Sequence, residues 1–194
     1  MLCFTISRYF DAHEELMLFT KDHCVSTERI WEGTIINLRV DTLNVDNTLA
    51  TREVVEHNGG VVIAGMTSED KVILVKQYRY SVDRELIELP AGRIEAGEDP
   101  YPAAQRELTE ETGYHAESWQ ELSRMYSAPG FCNEIIYIYL AENLTYKGKN
   151  LDFDEETDVI ELTLSEAWAM VHNGQIQDAK TIAGLGLLSQ RKTK

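Results

Sequence analysis

Three glutamates, Glu107, Glu110 and Glu111, stand at positions i, i+3 and i+4 of one segment. If the segment is a helix, all three share a face, with Cβ atoms about 5–6 Å apart, and like charges that close repel. Glu95 and Glu98 add two carboxylates just upstream. Something cationic has to hold such a group together. No Cys or His stands among these donors, so the ligands are hard oxygens, which points to Mg²⁺, with Mn²⁺ and Ca²⁺ as alternatives. A Glu-rich helix can also be a solvated face that binds nothing.

The helix itself is well signalled. Asp99 is placed to cap it, and Pro100 fits the first turn, where its missing N–H costs nothing. Ala103, Ala104 and Leu108 offer a short apolar stripe for a sheet. Gly113 is placed to end the helix in the left-handed conformation. Arg106, a cation inside the helix, is expected to pair with a neighbouring carboxylate and hold it ready for a metal.

Composition narrows the classes. The chain has 194 residues, 43% hydrophobic and 26% charged, as expected of a soluble globular protein with one main domain. No apolar run approaches the roughly 18–20 residues that span a bilayer. The first residues carry no basic region ahead of their apolar start, so no signal peptide is expected. The net charge of −15 argues against nonspecific binding to nucleic acid or to anionic membranes. It does not argue against a small anionic substrate, because a bound cation inverts the local field. Cys3, Cys24 and Cys132 are odd in number and far apart, which fits neither a zinc site nor a disulfide framework and suits a reducing cytoplasm.

Residues 1–28 carry little signal, and His13 and His23 are expected to be solvated. Residues 29–56 read as antiparallel strands: 34–41 alternates, Asp46-Asn47 marks a turn, and 49–56 returns. Such a sheet can pack on the main domain or on a second subunit. Trp31, at its start, is either a core or interface tryptophan or a stacking platform for a nucleotide base. Residues 61–66 and 72–78 are β-branched strands joined by a hairpin loop. Arg79 lies between two tyrosines, either as a surface cation or as a bidentate grip on phosphate. Residues 85–89 form a short strand before Pro90-Ala91-Gly92 turns sharply, bringing a carbonyl near Ala91 toward the carboxylates. Strands are expected at 117–126, 134–140 and 159–164, and a long acidic loop at 145–158. Ser165 should cap one helix and Asp178 another.

The spacing decides between the two readings of the Glu-rich helix. Gly92, five residues, Glu98, seven residues, and then Arg106-Glu107-Leu108-Thr109-Glu110-Glu111-Thr112-Gly113-Tyr114 make a long fixed pattern. It resembles the Nudix box, G-x5-E-x7-R-E-U-x-E-E-x-G-U with U bulky and apolar, and every defined position is filled, with Tyr114 a mild variant at the last. The stretches REVVEHNGG, VILVKQYRY, ELPAGRIEAGE, SAPGF and GQIQDAKT extend the likeness over residues 29–188, toward the ADP-ribose pyrophosphatase branch of that family. Pro129, sixteen residues past Gly113, matches a marker of that branch.

The resemblance implies an α/β/α sandwich with a mixed sheet at 57–194, preceded at 1–56 by an arm and antiparallel sheet that builds a homodimer. It implies Mg²⁺-dependent hydrolysis of ADP-ribose to AMP and ribose 5-phosphate. Glu107 and Glu111 match principal metal ligands, with Glu110 bridging and Glu98 and the Ala91 carbonyl in support. Arg52, Arg79 and Glu134 match substrate contacts. The general base falls on Glu155 or Glu156 in the acidic loop. The alternatives are another nucleoside diphosphate sugar, such as GDP-mannose, or a non-catalytic ADP-ribose sensor.

Overall fold

The computed structural model describes residues 20–149 and 157–191. The chain divides into two compact units at the Glu56–His57 bond.

The N-terminal unit is an antiparallel sheet of β1 (Cys24–Glu32), β2 (Asn37–Val45) and β3 (Thr48–Glu56), in that order. Asp46 and Asn47, at φ 50° and 63°, form the two-residue turn between β2 and β3, the geometry that suits the right-handed twist of a hairpin. The expected strand at 34–41 begins three residues late. Gly33 N–H donates to the Ile36 carbonyl (3.1 Å) and to Asn37 Oδ1 (3.3 Å), closing a turn that uses up Thr34, Ile35 and Ile36. Glu56 receives both Arg29 and Arg39 across the sheet. His23 is not simply solvated: its Nδ1 accepts from Thr20 N–H (3.2 Å) at a single 3₁₀ turn. Leu43 is the one buried residue among residues 20–56, while Val25, Ile30, Trp31, Ile35 and Leu49 are exposed.

The C-terminal unit is built on β4 (Gly60–Gly65), whose six residues are all buried. β4 runs parallel to β9 (Ile135–Tyr146) and antiparallel to β7 (Ala91–Arg93), and β8 (Tyr114–Tyr126) completes the order β7-β4-β9-β8. A second sheet has the order β10 (Thr157–Thr163), β5 (Lys71–Arg79), β6 (Arg84–Glu88). Helix α1 (Pro100–Thr112) packs on one face, and α2 (Leu164–His172) and α3 (Ala179–Ser189) belong to the core on the other. β4 serves both. Val61 and Ile63 meet Ala103, Ala104 and Leu108 of α1, while Val62 and Ala64 join Ile138, Leu140, Leu185 and Leu188. A strand covered on both sides reads as a continuous apolar run, as VVIA does. The result is the expected α/β/α layering around a mixed sheet.

The helix ends follow local chemistry. Asp99 and Gly113 bound α1 as expected, Gly113 at φ 76°, although Asp99 makes no side-chain cap bond. α2 is capped by Thr163 rather than Ser165, in a reciprocal pair: Glu166 N–H donates to Thr163 Oγ1 (3.2 Å) and Thr163 N–H to Glu166 Oε2 (2.8 Å). Asp178 caps α3 by accepting from Thr181 N–H. In α3, Gly184 leaves room for Leu89, and a Cβ there would overlap that side chain. Leu89 is fully buried. Overpacking costs about 1–3 kcal/mol and outweighs the roughly 1 kcal/mol of helix propensity that alanine adds. Gly184→Ala should therefore lower the urea midpoint; an unchanged or raised midpoint would show that Leu89 has room to move.

Candidate active site

The segment entering α1 is a short strand rather than a free turn. β7 pairs with β4 through Gly60↔Arg93 and Val62↔Ala91, and Ile63 N–H donates to the Pro90 carbonyl (2.8 Å). This lays β7 beside α1. Ala91 N–H donates to Glu111 Oε2 (3.0 Å). The Ala91 amide thus touches a box carboxylate. A Cβ on Gly92 would overlap the Glu107 carboxylate. Glycine there is a steric requirement: the backbone itself forms the seat for Glu107. Glu107 and Glu111, one turn apart on α1, are buried.

Arg106 gathers the remaining carboxylates. Its Nε and Nη2 donate to Glu98 (3.1 and 3.0 Å), and its Nη1 donates to Glu107 Oε1 (2.7 Å) and Glu110 Oε2 (2.9 Å). Nη2 also reaches the Arg93 carbonyl (3.0 Å). The bonds it donates to Glu98, then those to Glu107 and Glu110, push the guanidinium pKa far up, against the cost of burial. In return Arg106 holds the Glu98 carboxyl below its ordinary value. The sequence suggested one partner for Arg106; the fold supplies three.

These residues suit a hard divalent cation in kind. Glu98, Glu107, Glu110 and Glu111 are oxygen donors whose negative charge exceeds what one guanidinium offsets, and an excess of carboxylate oxygens is what Mg²⁺, Mn²⁺ or Ca²⁺ requires. Among the described residues no three acidic, His or Cys side chains already form a metal cage. The reason is visible: Glu98, Glu107 and Glu110 are all turned onto Arg106.

A cavity of about 350 Å³ opens beside β7. Ala91, Gly92, Arg79, Glu134, Met125 and Lys180 are among its lining residues. Glu134 Oε1 lies 3.4 Å from His57 Nδ1. That nitrogen accepts from Gly59 N–H (3.0 Å), so in neutral His57 the proton sits on Nε2 and the approach to Glu134 is not an ion pair. The fold therefore groups Arg79, Ala91 and Glu134 at one cavity and Arg106 with Glu98, Glu107 and Glu110 alongside β7. Arg52, whose Nη1 donates to the Thr51 carbonyl (2.8 Å), and Trp31, 61% exposed with its ring over Gly33, belong to the N-terminal unit. Glu155 and Glu156 lie outside the described residues.

Lys180, which lines the cavity, and Glu88, buried behind Arg79 and Lys180, escaped the sequence reading. Glu88, 1% exposed, accepts from Arg79 Nε (2.8 Å) and Nη2 (2.7 Å) and also from Lys180. Burial pushes its pKa up, but the Arg79 hydrogen bonds and the charges of Lys180 and Arg79 outweigh burial and hold it below the ordinary 4.5. The same bonds raise Arg79. A depressed carboxylate contributes stability above its unfolded pKa and loses it as pH falls through the folded one. The stability gap between the wild type and Glu88→Gln should thus be full at pH 7 and shrink below about pH 4.5, near the unfolded pKa of a glutamate. Urea unfolding of both proteins at neutral and acid pH reads this directly; a gap that does not change with pH would mean that folding leaves the Glu88 pKa at its unfolded value.

Comparison with known proteins bears on the family. The NUDIX domain model matches residues 56–185. The chain is 40% identical over 171 residues to a methanol dehydrogenase activator of Bacillus methanolicus, covering 87% of this chain and 92% of that protein. It is 38% identical over 175 residues to an ADP-ribose pyrophosphatase of Bacillus subtilis, covering 89% and 95%. A crystal structure of an ADP compounds hydrolase superposes with a TM-score of 0.76 at 21% identity, over 86% of this chain and 91% of the other, a likeness of fold. With Glu107, Glu110 and Glu111 of the box gathered on α1 and the match spanning most of the C-terminal sandwich, the chain belongs to the Nudix family of hydrolases.

Proposed function

We propose that this chain hydrolyses the diphosphate bond of ADP-ribose, giving AMP and ribose 5-phosphate. The observation that carries the reading is the cavity wall, lined both by Arg79 and by the strand that seats Glu107 and Glu111. The ADP-ribose pyrophosphatase of Bacillus subtilis, similar over nearly its full length, supports the choice of substrate.

Glu98, Glu107, Glu110, Glu111 and the Ala91 carbonyl are the groups to hold Mg²⁺, or Mn²⁺ in its place. When bound, the ion supplies charge neutralisation at the diphosphate and acidifies water. The chain's own residues do the rest. Arg106 keeps Glu98, Glu107 and Glu110 in place. Arg79 binds a phosphate oxygen, and Glu134 contacts the substrate at the cavity rim. Glu155 or Glu156 takes the proton of the attacking water as its oxygen bonds to phosphorus and the bond to the bridging oxygen breaks. Positioning and fixed charge are the main sources of rate.

The N-terminal sheet completes the reading as a dimerisation element. Its exposed Val25, Ile30, Trp31 and Leu49, with Leu43 alone buried, are a surface that a second copy would cover. Trp31 and Arg52 would then serve as adenine platform and phosphate grip. Free Cys24 and Cys132 suit the cytoplasm. Light scattering at micromolar concentration should give the mass of two chains; a monomer would remove this part.

The substrate is tested by a hydrolysis panel with and without Mg²⁺, comparing ADP-ribose, GDP-mannose, a diadenosine polyphosphate and a damaged nucleotide. Metal-dependent release of AMP, fastest from ADP-ribose, is expected. Preference for GDP-mannose would keep the chemistry and discard the substrate. Binding of ADP-ribose without turnover of any compound would make the chain a sensor.

A further inference from the structure

The cavity wall carries a connected set of four charges. Glu88 takes two parallel hydrogen bonds from the Nε and Nη2 edge of Arg79, and its Oε2 also receives Lys180 Nζ. Lys180 donates onward to Asp178 Oδ1 (2.9 Å). Asp178 is fixed in turn: Oδ2 accepts from Thr181 N–H (2.9 Å) and Thr181 Oγ1 (2.6 Å). Thr181 Oγ1 accepts from Leu89 N–H (2.8 Å), the residue after Glu88. The bonds therefore close a ring from the end of β6 to the start of α3 and back.

A stabilising role alone does not account for this ring. Buried ion pairs are often replaced by apolar residues at no loss of stability. Here two cations and two carboxylates are instead gathered where Arg79, Asp178 and Lys180 face the cavity. Glu88 itself is sealed off, so it can act on a ligand only through its partners. Its grip uses the Nε and Nη2 edge of Arg79 and leaves Nη1 with no hydrogen bond among the described residues. A guanidinium anchored on one edge cannot swing, so its remaining nitrogen is held in a fixed place at little further cost in entropy.

We propose that Glu88 and Lys180 are positioning residues for Arg79: Lys180 fixes the Glu88 carboxylate, and Glu88 fixes the guanidinium so that Nη1 is held for a phosphate oxygen of the substrate. The inference rests on the reading of Arg79 as the phosphate-binding side chain. It makes the segment Asp178–Lys180, distant in sequence from the box, a determinant of substrate binding.

The test is a double-mutant cycle on the purified full chain, using Arg79→Ala, Lys180→Met and the pair, with the substrate that the wild type hydrolyses fastest. Lys180→Met should raise KM about tenfold, a size usual for coupling between contacting residues, with a smaller change in kcat. Lys180→Arg should recover most of that loss. In the Arg79→Ala background, Lys180→Met should add less than about twofold, because it acts through a group already gone. Effects that multiply in full, at matching urea midpoints, would overturn the proposal. Lys180→Gln replaces Lys180→Met if the latter fails to fold. A second readout needs no substrate: the Arg79 Nε–H signal in arginine-selective NMR should exchange slowly in the wild type and at least about tenfold faster in Lys180→Met, as a freed hydrogen bond opens to water. Unchanged exchange would also overturn it. The wild-type panel alone reports a wrong substrate, so that failure is separable from this one.

Discussion

Glu111→Gln should lower turnover by about 10²–10³-fold, the loss that follows removal of one preorganised electrostatic partner, while the unfolding transition stays near that of the wild type. The argument is one of charge at constant shape. Glu111 is 2% exposed, and its Oε2 accepts from Ala91 N–H (3.0 Å). Its backbone carbonyl accepts from Thr157 Oγ1 (2.8 Å). Glutamine has the same volume and keeps an oxygen for the Ala91 amide, so the packing and that hydrogen bond survive. The negative charge disappears, and with it part of the affinity for a hard cation. Steady-state AMP release set beside a thermal melt decides the matter. Near-normal turnover would remove Glu111 from the metal-binding set.

Gly92→Ala should be comparably damaging for a steric reason. The added methyl would occupy the position of the Glu107 carboxylate. β7 cannot retreat, because its pairing to β4 and the bond from Ile63 N–H to Pro90 hold it in place. Glu107 must therefore leave its seat and part from Arg106 Nη1. A misplacement of about 1 Å in a catalytic group can cost about 10²-fold, so a turnover loss of at least that size is expected. Midpoint changes should stay modest, since the displaced group belongs to neither apolar core. Full activity would show that the Glu107 carboxylate works from another rotamer.

These two residues were legible because their signals are local. Pro100 and Gly113 bound α1 by backbone chemistry that acts within one turn, with Asp99 at the N-cap position, and the spacing along α1 is rigid once the helix forms. The Asp46-Asn47 turn was legible for the same reason. β1 was largely missed because its residues after Cys24 are all exposed, so no buried face imposes a period on CVSTERIWE. The start of β2 was misplaced because TII alternates well enough, yet Gly33 closes a turn across it. Thr163 displaced Ser165 as a cap through its pairing with Glu166, which a lone serine signal does not weigh. Glu88 and Lys180 stand 92 positions apart, and no local pattern joins them. One clue existed: a carboxylate that follows Leu86 and Ile87 in RELIE and pairs across to the buried Val75 has to find a cation somewhere.

Arg106, bonded at once to Glu98, Glu107 and Glu110, has a consequence for the life of the molecule. The cation that reconciles these carboxylates is encoded in the chain, not borrowed from solution. Small metal-templated domains collapse when their ion is withdrawn. Here the acidic helix can be completed during synthesis, and swings in the free ion pool would throttle the rate without marking the protein for unfolding. Ion supply then acts as a reversible dial on a part that is always assembled.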